Sequence, residues 1–515
     1  MTSGDDSLTG NMPALKPRLG FVTSLSDPLV LLLLTAGFVL LHTMMPGPIP
    51  SGSDGGNWLA VARGYLGESV MSADVGYPPA FPLLLSLLLL VAPPITALVI
   101  SALIGKSLLV IAVFVCCRPL GRPYALAAAA CAGVAGAQLE AFAWGGYPQL
   151  MGTAFGLLSV FNAIRWLEQR ERRSLAFALG LGILTFATHE LVSGLILLAV
   201  PVAILHWLLS SMASRADWLR AIILACAFLV PGGIQVVLSM VANADSGVVA
   251  VLNPYGVSRL ESIGQITRDA ALPWILVGAL GIAAFALRES GHRVASLTVG
   301  SSWSVAGLAF FLVTAESRGL LLTQVGAIIL ASVVVRRMFE RIGRRQTDQP
   351  GSRIAFRFGV ILVISMLSGI SAGGLVAYSA AISWYGVANQ EVLRSLDWLH
   401  ANSKPDDVVI ASAGPNGNPT GWWIEGYGER RTYTGVDVRS LSFPEERAQA
   451  ETANLIFTGE ASGAETRSLL EAHGLDYLVV DRRGPNSGWL SGNVASGFQR
   501  VYDSPTIVVL EVDSN

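Results

Sequence analysis

Two carboxylates in the predicted outer loops could do chemistry at the membrane face. Asp54 follows the first run in SGSDGGNW, and Glu140 closes the third in QLEAFAWGG. A carboxylate close to hydrocarbon is costly. One chemistry that uses it is general-base catalysis, in which it takes the proton of an attacking hydroxyl. Asp54 also fits a structural role, as the N-cap of the helix that follows it.

Two cations are candidates for binding phosphate oxygens. Lys106 lies inside the second apolar run, where a cation costs about 2.5–3.5 kcal/mol and needs a carboxylate or a lipid phosphate as its partner. Its ammonium could instead reach the headgroups along its flexible stem. Arg318, in TAESRGLLL, has the planar guanidinium that suits phosphate, although Glu316 beside it could pair with it.

Four further residues are candidates for substrate contacts. His189 and Glu190 form the tight turn THELVSG, which fits either a plain polar turn or a substrate or metal contact. Trp144 and Tyr147 follow Glu140, and both also fit the aromatic belt that marks membrane interfaces.

The composition is that of a membrane protein. The chain has 515 residues, of which 52% are hydrophobic and 14% are charged, and its mean hydropathy is +0.56. Soluble domains carry about a quarter charged residues, so a polytopic membrane protein is expected. The net charge of −2 provides no basic surface for nucleic acid. A metal-thiolate enzyme is excluded because all four cysteines lie in or beside apolar runs: Cys116, Cys117, Cys131 and Cys226.

Apolar segments of spanning length recur along most of the chain. They cover residues 28–45, 95–116, 123–141, 149–166, 174–189, 190–209, 219–241, 271–287, 297–314, 319–335 and 354–384. A further run over 80–92 is short for a span. If this run does not cross, Arg and Lys collect in alternate loops, as the positive-inside rule requires. The sequence thus predicts an all-α domain of about eleven spans, a cytoplasmic N-terminus and an interfacial helix over 80–92.

Polar segments divide the chain into regions. Residues 1–26, rich in Ser, Gly, Asp and Pro, are expected to form a disordered cytoplasmic tail, and the membrane domain is expected to cover 27–385. In its outer loop, 46–79, apolar residues from Trp58 to Leu66 recur at helical spacing. This spacing predicts an amphipathic helix on the bilayer surface.

Residues 386–515 alternate helix and strand patterns and predict a small extracytoplasmic α/β domain. Helices are expected over 390–402, 445–457 and 464–473, and strands over 408–412, 477–481, 498–502 and 506–512. The stretch AGPNGNPTGWWIEGYG is Gly-rich but does not fit a nucleotide-binding P-loop. If they lay in a strand, its adjacent Trp422 and Trp423 would face opposite sides of the sheet. One would then be core and the other, Trp422, a platform for stacking a sugar, although a core role alone also fits.

Four stretches, in their order and topology, resemble the GT-C superfamily of membrane glycosyltransferases, which includes the protein O-mannosyltransferases and the lipid A aminoarabinose transferases. They are SDGGNWLAVARGYL around Asp54, VGYPPAFPLLLSLLLL around Tyr77, LEAFAWGGYPQLMG around Glu140 and ESRGLLL around Arg318. The resemblance extends in layout over residues 28–385.

The resemblance implies transfer of a sugar from a polyprenyl-phosphate donor to a glycan, lipid or protein acceptor, usually with inversion, on the outer face of a bacterial inner membrane. It implies that Asp54 is the catalytic base, that Glu140 is a second acidic residue and that Arg318 binds the lipid phosphate. Lys106 is a second candidate for the phosphate, and Tyr77 is a candidate substrate contact.

The chain departs from the superfamily at one point and leaves two other functions open. Relatives often carry a second acidic residue where this chain has Gly55-Gly56. Whether a divalent cation such as Mg or Mn takes part therefore stays an open question. A transporter or flippase of lipid-linked glycans would also have many spans, but intramembrane charges are few and no repeat relates the two halves. An inactive scaffold would share the fold without depending on Asp54.

Overall fold

The structure is a computed structural model that describes most of the chain. The described residues are 27–29, 32, 35–37, 40, 49–50, 52–68, 77–211, 213–242, 293–314, 317–345, 373–434, 444–492 and 495–512. Outside them lie the predicted tail over 1–26, most of the predicted span over 28–45, the span over 271–287 and the first part of the segment over 354–384.

Helices make up the described part of the chain before the C-terminal region. They are α1 (Gly55–Tyr65), α2 (Ala80–Leu89), α3 (Pro94–Cys117), α4 (Arg122–Val134), α5 (Gly136–Trp144), α6 (Tyr147–Gln169), α7 (Arg172–Phe186), α8 (Glu190–Ser210), α9 (Arg215–Ala242), α10 (Arg293–Thr314) and α11 (Ser317–Arg345). A further helical stretch over 373–385 leads into the C-terminal region.

Within the described residues, six helices are long and apolar enough to cross a membrane: α3, α6, α8, α9, α10 and α11. The chain is therefore a multi-pass membrane protein. Helices α4 and α5, bent by 42°, form a seventh span if counted together. Helix α7 has 15 residues, so it is shorter than the span predicted over 174–189 and than the roughly 20 residues that a bilayer requires. The ten residues of α2 are too few to cross, as expected for the run over 80–92.

The bend between α4 and α5 lies at Ala135, whose backbone is extended. Gly374 packs so closely on the carbonyl before the bend that a β-carbon there would overlap it. The bend frees the N–H of Ala137, which donates to Gln324 Oε1 at 3.2 Å. Irregular backbone at membrane depth is tolerated where protein groups satisfy it in this way. As a result, the axis of α5, which carries Glu140, turns away from the axis of α4.

Glycines bring α10 and α11 into close contact. Gly307 faces Gly319, and Gly300 faces Gly326, so that a β-carbon at each position would press on the facing helix. Small residues at such positions let helix backbones approach closely in a membrane. This contact fixes the start of α11, where Arg318 lies.

The C-terminal region contains a five-stranded mixed sheet in the order β2-β1-β3-β5-β4. Its strands are β1 (Val408–Ala411), β2 (Arg431–Thr432), β3 (Tyr477–Asp481), β4 (Gln499–Asp503) and β5 (Ile507–Glu511), and its helices are α12 (Gln390–Asn402), α13 (Gly421–Gly426), α14 (Pro444–Thr458) and α15 (Gly463–Ala472). Strand β1 is parallel to β2 and β3, and β5 is antiparallel to β3 and β4. All the helices and strands predicted for this region are present at nearly the predicted bounds.

The strand arrangement considered for Trp422 and Trp423 does not occur, because both residues lie on the short helix α13. Helix α13 packs against α1 of the membrane domain, and this contact, which no local pattern reveals, accounts for the fully buried ring of Trp423. Trp422 is only partly buried.

An ion pair with a buried carboxylate stabilises the end of β3. Asp481 is fully buried, and Arg483 donates to its carboxylate from Nε at 3.0 Å and from Nη2 at 2.6 Å. Because Arg483→Ala would leave a buried carboxylate without its cation, we expect it to lower the free energy of unfolding by about 3 kcal/mol. Thermal unfolding in detergent, followed by near-UV circular dichroism, measures the change.

The neighbouring arginine provides the control for this variant. Arg482 pairs with Asp503 at the surface, where both side chains are more than a third exposed. Exposed pairs contribute less than about 1 kcal/mol, so Arg482→Ala should unfold close to the wild type. Equal losses of unfolding free energy in Arg483→Ala and Arg482→Ala would contradict the prediction that burial of Asp481 makes its ion pair the more stabilising one.

Candidate functional site

Asp54 lies in a tight turn at the start of α1, and this turn packs against the end of α5. The N–H of Asp54 donates to the carbonyl of Trp144 at 3.0 Å, and the N–H of Gly55 donates to Gly52 at 3.2 Å. On the other side of the turn, Trp58 Nε1 donates to the carbonyl of Gly145 at 2.6 Å. The backbone on both sides of the carboxylate is therefore held by the α5–α6 connection.

The carboxylate of Asp54 does not act as a helix cap. Asp54 occupies the N-cap position of α1, but its side chain makes no capping hydrogen bond. It accepts instead from Ser53 Oγ at 3.0 Å. The alternative that the carboxylate of Asp54 caps α1 is therefore wrong. The carboxylate is available for another role.

Burial raises the pKa of Asp54 to about 6, while the hydrogen bond from Ser53 and the charge of Arg318 act in the opposite direction. An ordinary aspartate titrates near 3.8. A carboxylate with a raised pKa is a stronger base that is still mostly ionised at neutral pH, as general-base catalysis requires.

Arg318, at the start of α11, brings the other candidates together around Asp54. Its positive charge acts on Asp54, Tyr77, His189 and Glu190. The ring of Tyr77 lies 4.6 Å from that of Trp58 and 6.3 Å from that of His189, between centroids. Candidates from four separate parts of the sequence thus form one group.

Tyr77 and His189 present neutral polar atoms within this group. Burial, followed by the charges of Glu190 and Asp54, raises the pKa of Tyr77 well above its usual value, so its hydroxyl keeps its proton. Burial, followed by the charge of Arg318, lowers the pKa of His189 to about 3, so its imidazole is uncharged at neutral pH. Within the described residues, Tyr77 Oη and His189 Nδ1 are buried without a hydrogen-bond partner, as expected for atoms that bind a ligand.

Glu140 lies on α5, one turn before Trp144. Tyr385 Oη donates to Glu140 Oε1 at 3.1 Å, and the rings of Trp144 and Tyr385 meet edge to face at 5.9 Å. Tyr385 ends the helical stretch before the C-terminal region, so this contact joins that connection to the α5 turn on which Asp54 packs.

For three other candidates, the described residues show no side-chain hydrogen bond or ring contact with Asp54, Tyr77, His189, Glu190 or Arg318. Lys106 is 4% exposed in the middle of α3, so the expectation that it reaches the headgroups is wrong, and Nζ has no partner among the described residues. Tyr147 is buried against Phe81 and Phe142 and therefore does not belong to an interface belt. Trp422 contributes backbone to the contact with α1. Their roles in binding stay predictions.

Helix α1 is present as predicted, but it does not lie open on a bilayer surface. Helix α13 covers it, and a β-carbon at Gly56 would overlap the backbone of Trp422. Arg63 is 9% exposed and donates to the carbonyl of Gly426 at 3.0 Å. The close contact leaves no room for a side chain at Gly56.

The described residues contain no group of three or more His, Cys, Asp and Glu side chains that could hold a metal ion. Sequence reasoning also missed Ser53, Tyr385 and Trp423. Ser53 could have been noticed as the neighbour of Asp54. Tyr385 and Trp423 reach the site only through contacts across hundreds of residues, and no local pattern marks them.

Comparison with known proteins finds likeness in structure alone. No protein-family model and no curated protein sequence matches the chain. Among solved structures, it is similar to the oligosaccharyltransferase AglB from Archaeoglobus fulgidus, in complex with an inhibitory peptide and a dolichol-phosphate (12% identity, TM-score 0.57, covering 93% of this chain and 73% of that one). It is also similar to ArnT from Cupriavidus metallidurans bound to undecaprenyl phosphate (13%, 0.56, 95% and 99%).

A third similar structure is the mycobacterial arabinofuranosyltransferase AftD (16% identity, TM-score 0.57). The match covers 95% of this chain and 42% of that one. Identities this low support the fold alone. The fold of this chain is that of the GT-C membrane glycosyltransferases.

Proposed function

We propose that the protein is a membrane glycosyltransferase that moves a sugar from a polyprenyl-phosphate donor to a cell-envelope acceptor on the outer face of a bacterial inner membrane. The observation that carries this proposal is the carboxylate of Asp54, which caps no helix and lies in the field of Arg318. The fold adds support, since two of the similar structures hold dolichol-phosphate and undecaprenyl phosphate.

The proposed reaction is a single displacement at the anomeric carbon. Asp54 accepts the proton of the acceptor hydroxyl as its oxygen bonds to the anomeric carbon, while the bond from that carbon to the phosphate oxygen breaks. The lipid phosphate leaves with the bonding electrons. Arg318 stabilises the charge that develops on it, and attack opposite the leaving group inverts the anomeric configuration.

The other residues of the group serve binding in this proposal. Tyr77 donates its hydroxyl proton to a sugar or phosphate oxygen, and the neutral imidazole of His189 accepts or donates one hydrogen bond to the sugar. Glu140, oriented by Tyr385, binds an acceptor hydroxyl as the second acidic residue. Holding a lipid-linked donor and an acceptor in one groove supplies the proximity that the reaction needs.

Reconstituted protein tests the proposal. Wild-type protein in lipid nanodiscs, given a panel of polyprenyl-phosphate sugars and cell-envelope extract as acceptor, should release polyprenyl phosphate from one donor. Repeating the assay with and without EDTA shows whether Mg or Mn takes part. No release from any donor would contradict the proposal. In sealed vesicles, movement of intact donor between leaflets without release of polyprenyl phosphate would favour the transporter or flippase.

The pH dependence of transfer should follow the ionisation of Asp54. The base acts as the carboxylate, so the rate should be level above its pKa of about 6 and fall about tenfold for each pH unit below it. A phosphodiester donor stays ionised throughout this range and adds no second limb. Initial rates at saturating donor between pH 4.5 and 8 measure the profile, and a flat profile from pH 5 to 7 would contradict the role of Asp54.

A further inference from the structure

The C-terminal region reaches the turn of Asp54 through one buried side chain. Trp423 is fully buried on α13, and its Nε1 donates to the carbonyl of Gly52 at 3.1 Å. The same carbonyl accepts the N–H of Gly55, which closes the turn. Trp423 therefore shares an acceptor with the hydrogen bond that defines the position of Asp54.

The indole ring also fills the space beside the turn. A β-carbon at Gly55 would lie 2.8 Å from Trp423 Cζ2, closer than carbon atoms pack. Gly55 directly follows Asp54 in the chain, and Gly52 lies two residues before Asp54. The ring thus contacts the backbone on both sides of the carboxylate.

Two more contacts hold α13 on α1. Gly426 packs on the carbonyl of Gly56 with no room for a β-carbon. At the far end of α1, Arg63 Nη2 forms an ion pair with Glu429 Oε1 at 2.6 Å, and Arg63 Nη1 contacts Glu68 at 3.2 Å. Because Arg63 is almost fully buried, this pair is worth more than an exposed one. The whole of α1 is thereby fixed between the two parts of the chain.

We propose that Trp423 is a positioning residue for Asp54, and that the C-terminal region completes the active-site turn. This inference rests on the proposed function and gives the C-terminal region a part in positioning the catalytic base. The turn has supports on two sides: on one, the α5–α6 connection holds the N–H of Asp54 through the carbonyl of Trp144, and on the other, Trp423 of α13 holds Gly52. Loss of the second support lets the carboxylate move relative to the donor.

Trp423→Phe removes the N–H donor and keeps most of the ring. We expect kcat to fall about tenfold with little change in the KM of the donor, since small displacements of a catalytic group reduce the rate strongly. Hydrogen exchange in the peptide that covers 52–58 should become faster, because the turn loses a neighbour. The matched control is Trp489→Phe in the same region. Trp489 is also buried, and its Nε1 makes no hydrogen bond among the described residues.

A second pair of variants tests the same contact without changing the tryptophan. Gly426→Ala places a methyl group against the backbone of Gly56 and should reproduce the loss of kcat and the faster exchange at 52–58. Gly488→Ala puts the same methyl group into open space in the C-terminal region and should behave as wild type. This pair answers the question if Trp423→Phe fails to fold.

The outcomes separate this inference from the proposed function. Unchanged kcat in both Trp423→Phe and Gly426→Ala would overturn the positioning role. A rise in the KM of the acceptor with kcat retained would also overturn it, in favour of acceptor binding. If the wild type transfers no sugar, the proposed function fails, and the exchange rates at 52–58 alone still decide whether Trp423 holds the turn.

Discussion

Asp54→Asn should abolish sugar transfer while leaving the protein folded. The amide has nearly the shape of the carboxylate but cannot accept the acceptor's proton, and a general base contributes about 10²–10⁴ to the rate. We expect kcat to fall by at least about a hundredfold, with the KM of the lipid donor nearly unchanged because Arg318 remains. Release of polyprenyl phosphate in nanodiscs measures both quantities.

The stability of this variant distinguishes lost chemistry from lost structure. The folded-state pKa of Asp54 lies above its unfolded value of 3.8, so its neutral form favours folding and the ionised form opposes it as pH rises through about 6. Asn removes that charge. The melting temperature at pH 7.5 should therefore stay equal or rise, which is the pattern of a functional site that costs stability.

Another aspartate provides the matched control. Asp406 is exposed in the loop before β1, and Asp406→Asn should retain wild-type transfer and melting temperature. The general-base role is wrong if Asp54→Asn folds and keeps its activity. If instead the wild type itself releases no phosphate from any donor, an inactive scaffold becomes the better description.

Local patterns predicted much of the fold. Helical spacing identified α1, and alternating patterns with turn residues located the strands of the C-terminal sheet, because such elements express their own periodicity. Apolar length located the six spanning helices of the described residues, but it could not reveal the bend at Ala135. That bend depends on Gly374 and Gln324, which belong to distant helices.

The same distinction holds for the candidate site. Glu140 could be found because a carboxylate near hydrocarbon is unusual in itself, and Asp54 because it lies directly ahead of a predicted surface helix. The supports of these carboxylates are a Tyr and a Trp, residue types that are common at membrane surfaces and in cores. Only the fold shows that Tyr385 reaches Glu140 and that Trp423 reaches the turn of Asp54.

Arg318→Ala should weaken use of the lipid donor more than Arg318→Lys does. Hydrogen bonds to charged groups are worth about 1.5–3 kcal/mol, so loss of the guanidinium should reduce kcat/KM for the donor by about 10–100-fold. Lys keeps a point charge but loses the planar pair of donors that suits phosphate oxygens, and an intermediate loss is expected. Arg394→Ala, at an exposed pair on α12, is the control and should match the wild type.

The pH profile of these two variants separates charge from geometry. Arg318 lowers the pKa of Asp54 against the effect of burial, so its removal should move the acid limb of the rate profile to higher pH, whereas Lys should leave the limb near its wild-type position. The position of the acid limb reports the effect of Arg318 on the pKa of Asp54, whereas kcat/KM reports the contact with phosphate. The two predictions can therefore fail independently. Equal kcat/KM values for Arg318→Ala and Arg318→Lys would contradict a contact in which Arg318 donates two hydrogen bonds to phosphate. An unmoved limb in Arg318→Ala would show that Arg318 does not act on the base.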